Sequence, residues 1–183
     1  MRLRRNFAAL VFLVLPLSRA DVRGCLCDIA KPETMAAREC SLCREAELRP
    51  ADIPFFVLRD TNPNKPNRWL ALPRFHGRNP QQLSDMTPEQ RTGYWNAAIA
   101  KARELWGDQW GIAVNSDDRR TQCHAHIHIG KLLPDTEDDR FVLVDSSAAI
   151  PAPHGGEGIW IQPAGAGLHA HVGEPAGELK LLR

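Results

Sequence analysis

The heptapeptide Cys123-His-Ala-His-Ile-His-Ile129 constrains the fold more than any other stretch of the chain. In an extended strand alternate side chains share a face, so His124, His126 and His128 project together while Ala125, Ile127 and Ile129 point the other way into a core. The segment therefore predicts a sheet with one packed face and one face lined by three imidazoles. A solvated strand face rich in His is the plainest account, but three of the seven histidines falling at strict alternation argues against chance. A three-His metal site is a rival, since imidazole is a common transition-metal ligand. Same-face side chains lie about 6.5–7 Å apart along a strand, however, and a straight row does not converge easily on one ion. A phosphate-handling row fits better: neutral imidazole attacks phosphorus, and its neighbours orient it, donate to phosphate oxygens and protonate a leaving group.

The surrounding pattern predicts an α+β fold, an antiparallel sheet with one main helix packed on it. Strands are expected at 53–59 and 68–72, with the turn-rich Thr61–Asn67 between them and a polar loop over 74–81. The helix begins at the cap Thr87, with Pro88 at its first position and Gln90 completing a capping box. Tyr94, Trp95, Ala98, Ile99, Ala102, Leu105 and Trp106 form its apolar stripe, and Gly107 marks its stop. Further strands are expected at 111–114, 123–129, 141–144, 158–161 and 168–172.

At 183 residues, 43% hydrophobic and 25% charged, the chain suits one domain. Residues 1–20 read as a signal peptide: Arg2, Arg4 and Arg5 precede an 11-residue apolar run from Phe7 to Leu17, and Ser18 and Ala20 suit a signal peptidase. The run is too short for a membrane span of about 18 residues. Cleavage after Ala20 leaves 19 basic against 22 acidic side chains, a charge of −3 over 21–183. No charge excess is available to hold a nucleic-acid backbone, so nucleic acid is not an expected partner. The expectation is an exported, periplasmic or secreted protein, with a Cys-rich opening and a strand-rich C-terminal extension. In that oxidising setting Cys25, Cys27, Cys40 and Cys43 are candidates for two disulfides. Cys25 and Cys27 are too close for an easy mutual bond, so pairing across the intervening segment is expected, and Cys123 is then a buried free thiol.

His-x-His-x-His at 124–128 resembles the signature of the histidine-triad superfamily of nucleotidyl hydrolases and transferases. Cys40-Ser-Leu-Cys43, Trp69-Leu-Ala-Leu-Pro-Arg-Phe-His76 and Met86-Thr-Pro-Glu89 resemble that superfamily's ordered motifs. Asn115-Ser116 and Arg120-Thr-Gln-x-His-x-His-Ile-His128 are most similar to its CDP-diacylglycerol pyrophosphatase branch. The resemblance implies that His126 is a nucleophile forming a nucleotidyl-phosphohistidine, and that His128 contacts phosphate and supports leaving-group departure beside His124. It further implies that Asn115 and Thr121 contact ribose or phosphate; Gln122 and Arg120 are close enough in sequence to contribute, Arg120 as a bidentate phosphate partner or as a solvated loop residue. Cys40, Cys43, His76 and His124 match positions that hold a structural zinc in several members, a normal tetrahedral set; no cofactor is implied for catalysis itself.

The partners expected are a nucleotide conjugate, lipid-linked or soluble, a membrane surface at its periphery and a second copy of the chain. Two functions stay open: phosphoanhydride cleavage, on CDP-diacylglycerol or on soluble dinucleoside polyphosphates and nucleoside phosphoramidates, and a non-catalytic exported metal-binding module. Leu168-His-Ala-His-Val172 places His169 and His171 on one strand face, His154 beside Gly155-Gly156 is a candidate to approach them, and a surface strand, a metal site and a pocket wall are all open there.

Overall fold

The computed structural model describes residues 22, 24–78, 80–136, 138–154 and 156–183; the expected signal peptide lies outside them. It is an α+β fold. Seven strands, β1 (Phe55–Arg59), β2 (Trp69–Pro73), β3 (Trp110–Val114), β4 (Ile127–Lys131), β5 (Val142–Val144), β6 (Ile159–Ala164) and β7 (Gly167–Val172), form one sheet in the order β1-β2-β4-β3-β6-β7-β5. Every pairing is antiparallel. No helix among the described residues is long and apolar enough to cross a membrane.

The main helix, α2 (Pro88–Trp106), forms where its signals lie. Thr87 Oγ1 accepts from Gln90 N at 3.2 Å while Gln90 Oε1 accepts from Thr87 N at 2.9 Å, satisfying two donors that a helix start leaves open. Gly107 ends the helix at φ +56°, a conformation that favours glycine. Tyr94, Trp95, Ala98, Ile99 and Ala102 are buried against Ile112, Val114, Ala125, Ile127, Ile129, Ile159 and Ile161 on one face of the sheet. The close approach requires Gly93, where a Cβ would lie 2.7 Å from Phe55 Cε2.

The opposite face is covered in two places. A short helix missed by the sequence reading, α1 (Ser41–Glu47), packs Leu42 on Leu70 and Leu72 of β2. At the other end Leu181 packs on Ala113 and Trp160, and the preceding 3-10 turn Gly177–Lys180 lies so close that a Gly177 Cβ would be 3.0 Å from Trp160 Cβ. His128, opposite Leu70 on one side and Ala113 on the other, sits between these two coverings.

The strand expected at 123–129 starts four residues late, at Ile127. β4 pairs with β2 through Ala71↔Ile127, and two residues further along β2 comes Pro73, which has no N–H to continue the ladder. Residues 123–126 are instead held by Gln81, whose backbone N donates to Cys123 O at 3.1 Å and whose Oε1 accepts from Ala125 N at 3.1 Å.

The cysteine pairing corrects two expectations. Cys27 bonds Cys40 and Cys25 bonds Cys123, leaving Cys43 as the buried free thiol. Cys123 is therefore not the free one. Cys25 does not pair within the N-terminal segment, because that segment folds over the start of the histidine row and brings Cys123 nearer than Cys43. Two disulfides suit folding in an oxidising compartment.

Candidate active site and metal-ligand cluster

The histidine row divides into two environments. His126 and His128 face each other with ring centres 4.8 Å apart, whereas His124 packs against His76 at 4.9 Å. All three triad imidazoles are buried. Desolvation pushes their pKa values down, to about 4 for His126, to about 3 for His124 and well below the usual range for His128. Each is a neutral ring at neutral pH.

Hydrogen bonds then select the tautomers. His126 Nδ1 lies 2.9 Å from its neighbour's carbonyl, His124 O; a neutral ring in that position donates, leaving the lone pair on Nε2. His124 Nε2 lies 2.8 Å from Pro73 O and donates in the same way, leaving its lone pair on Nδ1. His126 also lines a small cleft with Tyr94, Asn115, Asp117, Arg120 and Glu157.

Cys43, His76 and His124 place one potential ligand atom each within 4.8 Å of one another, a group that could hold a metal ion. His76 Nε2 pairs with Glu47 Oε1 at 2.6 Å. Both imidazoles thus carry an oxygen acceptor on Nε2, the outer support common to metal-binding histidines. Burial, the largest influence, holds the unmetallated Cys43 thiol up at about 11. Cys40, the fourth ligand expected, does not join the group, because its sulfur is spent on Cys27.

The remaining candidates are dispersed. Arg120 is buried, with Nη2 2.6 Å from Asp117 Oδ1 and Nη1 donating to Gln81 O at 2.8 Å; it ties the loop after β3 to Gln81 and lends positive charge near His126. Asn115 lines the cleft, but its Oδ1 accepts from Glu178 N at 3.1 Å. Gln122 faces away from the cleft: its Oε1 accepts from Ser41 Oγ at 2.9 Å and Leu42 N at 3.3 Å, and its Nε2 donates to Arg38 O at 3.0 Å. It clasps α1. Thr121 is exposed outside the cleft lining.

Two residues of the site escaped the sequence reading. Gln81 sat in a polar loop with no motif, and Glu178 lies 50 residues beyond the row. Glu178 Oε2 is 3.6 Å from His128 Nδ1, 2.5 Å from Lys65 Nζ and 3.5 Å from Arg68 Nη1. Burial opposes its charge, but His128, Lys65 and Arg68 outweigh burial and bring its pKa down to about 2. Because His128 is neutral near pH 7, Lys65 and Arg68 supply the standing attraction.

The second histidine pair is a ring stack. His171 lies 3.8 Å from Trp160 between ring centres and is buried, while His169 stacks on Phe141 at 3.6 Å. His171 therefore lies on the same sheet face as Trp160 and His128, where it lines a pocket with Asp138 and Arg140, and His154 is exposed. No family model matches the chain.

Proposed function

We propose that the protein is a phosphoanhydride hydrolase of histidine-triad type that cleaves a nucleotide conjugate through a nucleotidyl-His126 intermediate. The observation that carries this reading is the His126 ring: neutral, with Nδ1 committed to His124 O and the Nε2 lone pair left for attack. In the reaction Nε2 attacks the α-phosphorus, an N–P bond forms, and the bridging P–O bond breaks with its electron pair leaving on the departing phosphate. Water then adds to phosphorus, the N–P bond breaks, the lone pair returns to Nε2, and the proton from water passes to solvent. His128, beside the reacting ring, contacts the phosphate and serves the leaving group.

Among substrates, CDP-diacylglycerol follows from the resemblance of the 115–128 motifs, with soluble dinucleoside polyphosphates or phosphoramidates as the alternative. Cys43, His76 and His124 suit a structural Zn²⁺, a soft thiolate and two imidazoles being its usual donors. This cluster also favours a second reading, an exported metal-binding module without catalysis.

The test is to quench purified protein during turnover of α-³²P-labelled CDP-diacylglycerol in mixed micelles and, in parallel, of diadenosine polyphosphate. An acid-labile label on His126 is expected. His126→Ala should abolish it and lower kcat/KM by more than the roughly 10²–10⁴-fold cost of losing an acid or base alone, with His128→Ala milder. A His126→Ala protein at near-normal rate rejects the mechanism. A tenfold higher kcat/KM on the soluble dinucleotide, about 1.4 kcal/mol of transition-state preference, moves the substrate to the alternative.

A further inference from the structure

The C-terminal turn brings a carboxylate to the inner side of the histidine row. His128 Nδ1 is buried without a hydrogen-bond partner and faces Glu178 Oε2 at 3.6 Å. That is longer than a hydrogen bond, as catalytic contacts often are before substrate binds. Glu178 is held at several points. Its N donates to Asn115 Oδ1, its carbonyl accepts from Arg68 Nη2 at 3.0 Å, and its carboxylate meets Lys65 and Arg68. Arg68, 1% exposed, also donates to Leu181 O at 2.9 Å and Leu182 O at 3.2 Å, stapling the C-terminal segment to β2.

Burying a guanidinium and a carboxylate is a poor source of net stability, because desolvation cancels much of the attraction. What the arrangement does provide is a fixed acceptor opposite one nitrogen of one imidazole. We infer that Glu178 is the positioning residue for His128. Its carboxylate draws the Nδ1–H, sets the ring's tautomer and orientation, and stabilises the imidazolium when His128 carries a proton for the leaving group. The inference rests on the proposed roles of His126 and His128. The charged and titratable groups facing His128 are Glu178, His126, Lys65 and Arg68; of these only Glu178 favours the protonated ring.

The test uses the full chain with Glu178→Met, which keeps the side-chain length but removes the one oxygen, Oε2, that faces His128, Lys65 and Arg68 alike. Glu178→Asp, retaining the charge on a shorter arm, is the second variant. ¹⁵N NMR of the ring nitrogens is expected to show Nδ1–H for His128 in the wild type, a shift toward Nε2–H in Glu178→Met and an intermediate mixture in Glu178→Asp. Turnover is then measured on two probes, a nucleoside 5′-phosphate p-nitrophenyl ester, whose leaving group departs as an anion, and an alkyl nucleoside 5′-phosphoramidate, whose amine needs a proton. Glu178→Met is expected to lower kcat on the phosphoramidate about 10²-fold with KM little changed, and to leave the ester within a few-fold. An unchanged His128 tautomer, or equal losses on both probes, overturns the inference. Wild-type protein that turns over neither probe and takes no label on His126 counts against the proposed function, while the tautomer measurement still decides the role of Glu178.

Discussion

Cys123 is bonded to Cys25, 98 residues earlier, so the backbone enters the histidine row from a covalently fixed point. Gln122, just before it, is clasped to α1, and His124, just after it, turns toward Cys43 and His76. The N-terminal segment and the histidine row are therefore one structural unit. Denatured protein without reductant should expose one reactive thiol, Cys43, and five after reduction. Removing the long loop with Cys25→Ser/Cys123→Ser should cost about 4–5 kcal/mol, against about 3 kcal/mol for Cys27→Ser/Cys40→Ser. Denaturant midpoints measure both, and the reverse order would contradict the loop-closure argument.

The metal cluster makes a prediction that separates its cysteines. Purified protein should retain about one zinc per chain, and Cys43→Ser or His76→Ala should lose it together with part of the folding stability. The double variant Cys27→Ser/Cys40→Ser should keep the metal, because Cys40 stands outside the ligand group. Elemental analysis after dialysis against a weak chelator decides. Loss of zinc from the double variant would return Cys40 to the ligand set.

Stability should fall on mild acidification. His126 and His128 are held neutral by burial, His126 down to about 4, whereas both titrate near 6.5 in the unfolded chain. The unfolded state therefore binds more protons between about pH 6.5 and pH 4. The contribution is complete above that window and falls as pH drops through it, by on the order of 1.4 kcal/mol per pH unit for each ring. Glu178 acts lower, adding stability above about pH 4.3 that is lost as pH falls toward about 2. Urea midpoints across this range should slope steeply in the wild type and less in His128→Gln. A flat profile between about pH 7 and pH 5 contradicts the burial argument.

Gly158 should not tolerate a side chain. A Cβ there would lie 2.0 Å from Glu174 O and 3.1 Å from Ser116 N, both backbone atoms that cannot swing aside. Gly158→Ala should lower stability by about 1–3 kcal/mol or more. Gly24→Ala, with nothing within 4 Å of the added carbon, should leave the melting temperature unchanged. Thermal unfolding of the two variants checks the contrast, and equal melting temperatures would show that the Glu174 backbone gives way.

What was legible in the sequence is what neighbours along the chain decide. Period-two alternation put Ala125, Ile127 and Ile129 into the core, and the Thr87–Gln90 box and Gly107 bounded α2, because strand pleat and helix caps are set within a few residues. Among the candidate site residues, His124, His126 and His128 stood out for the same reason, and His76 and Cys43 came from ordered motifs. Only the tertiary structure decided that Cys25 would pair with Cys123, that Gln81 would replace the missing ladder at Pro73, and that Glu178 would face His128. Each of these joins residues between 42 and 98 positions apart. At that separation no local pattern marks a partner. Proximity there is set by how the sheet orders its strands and by where the C-terminal segment crosses its face.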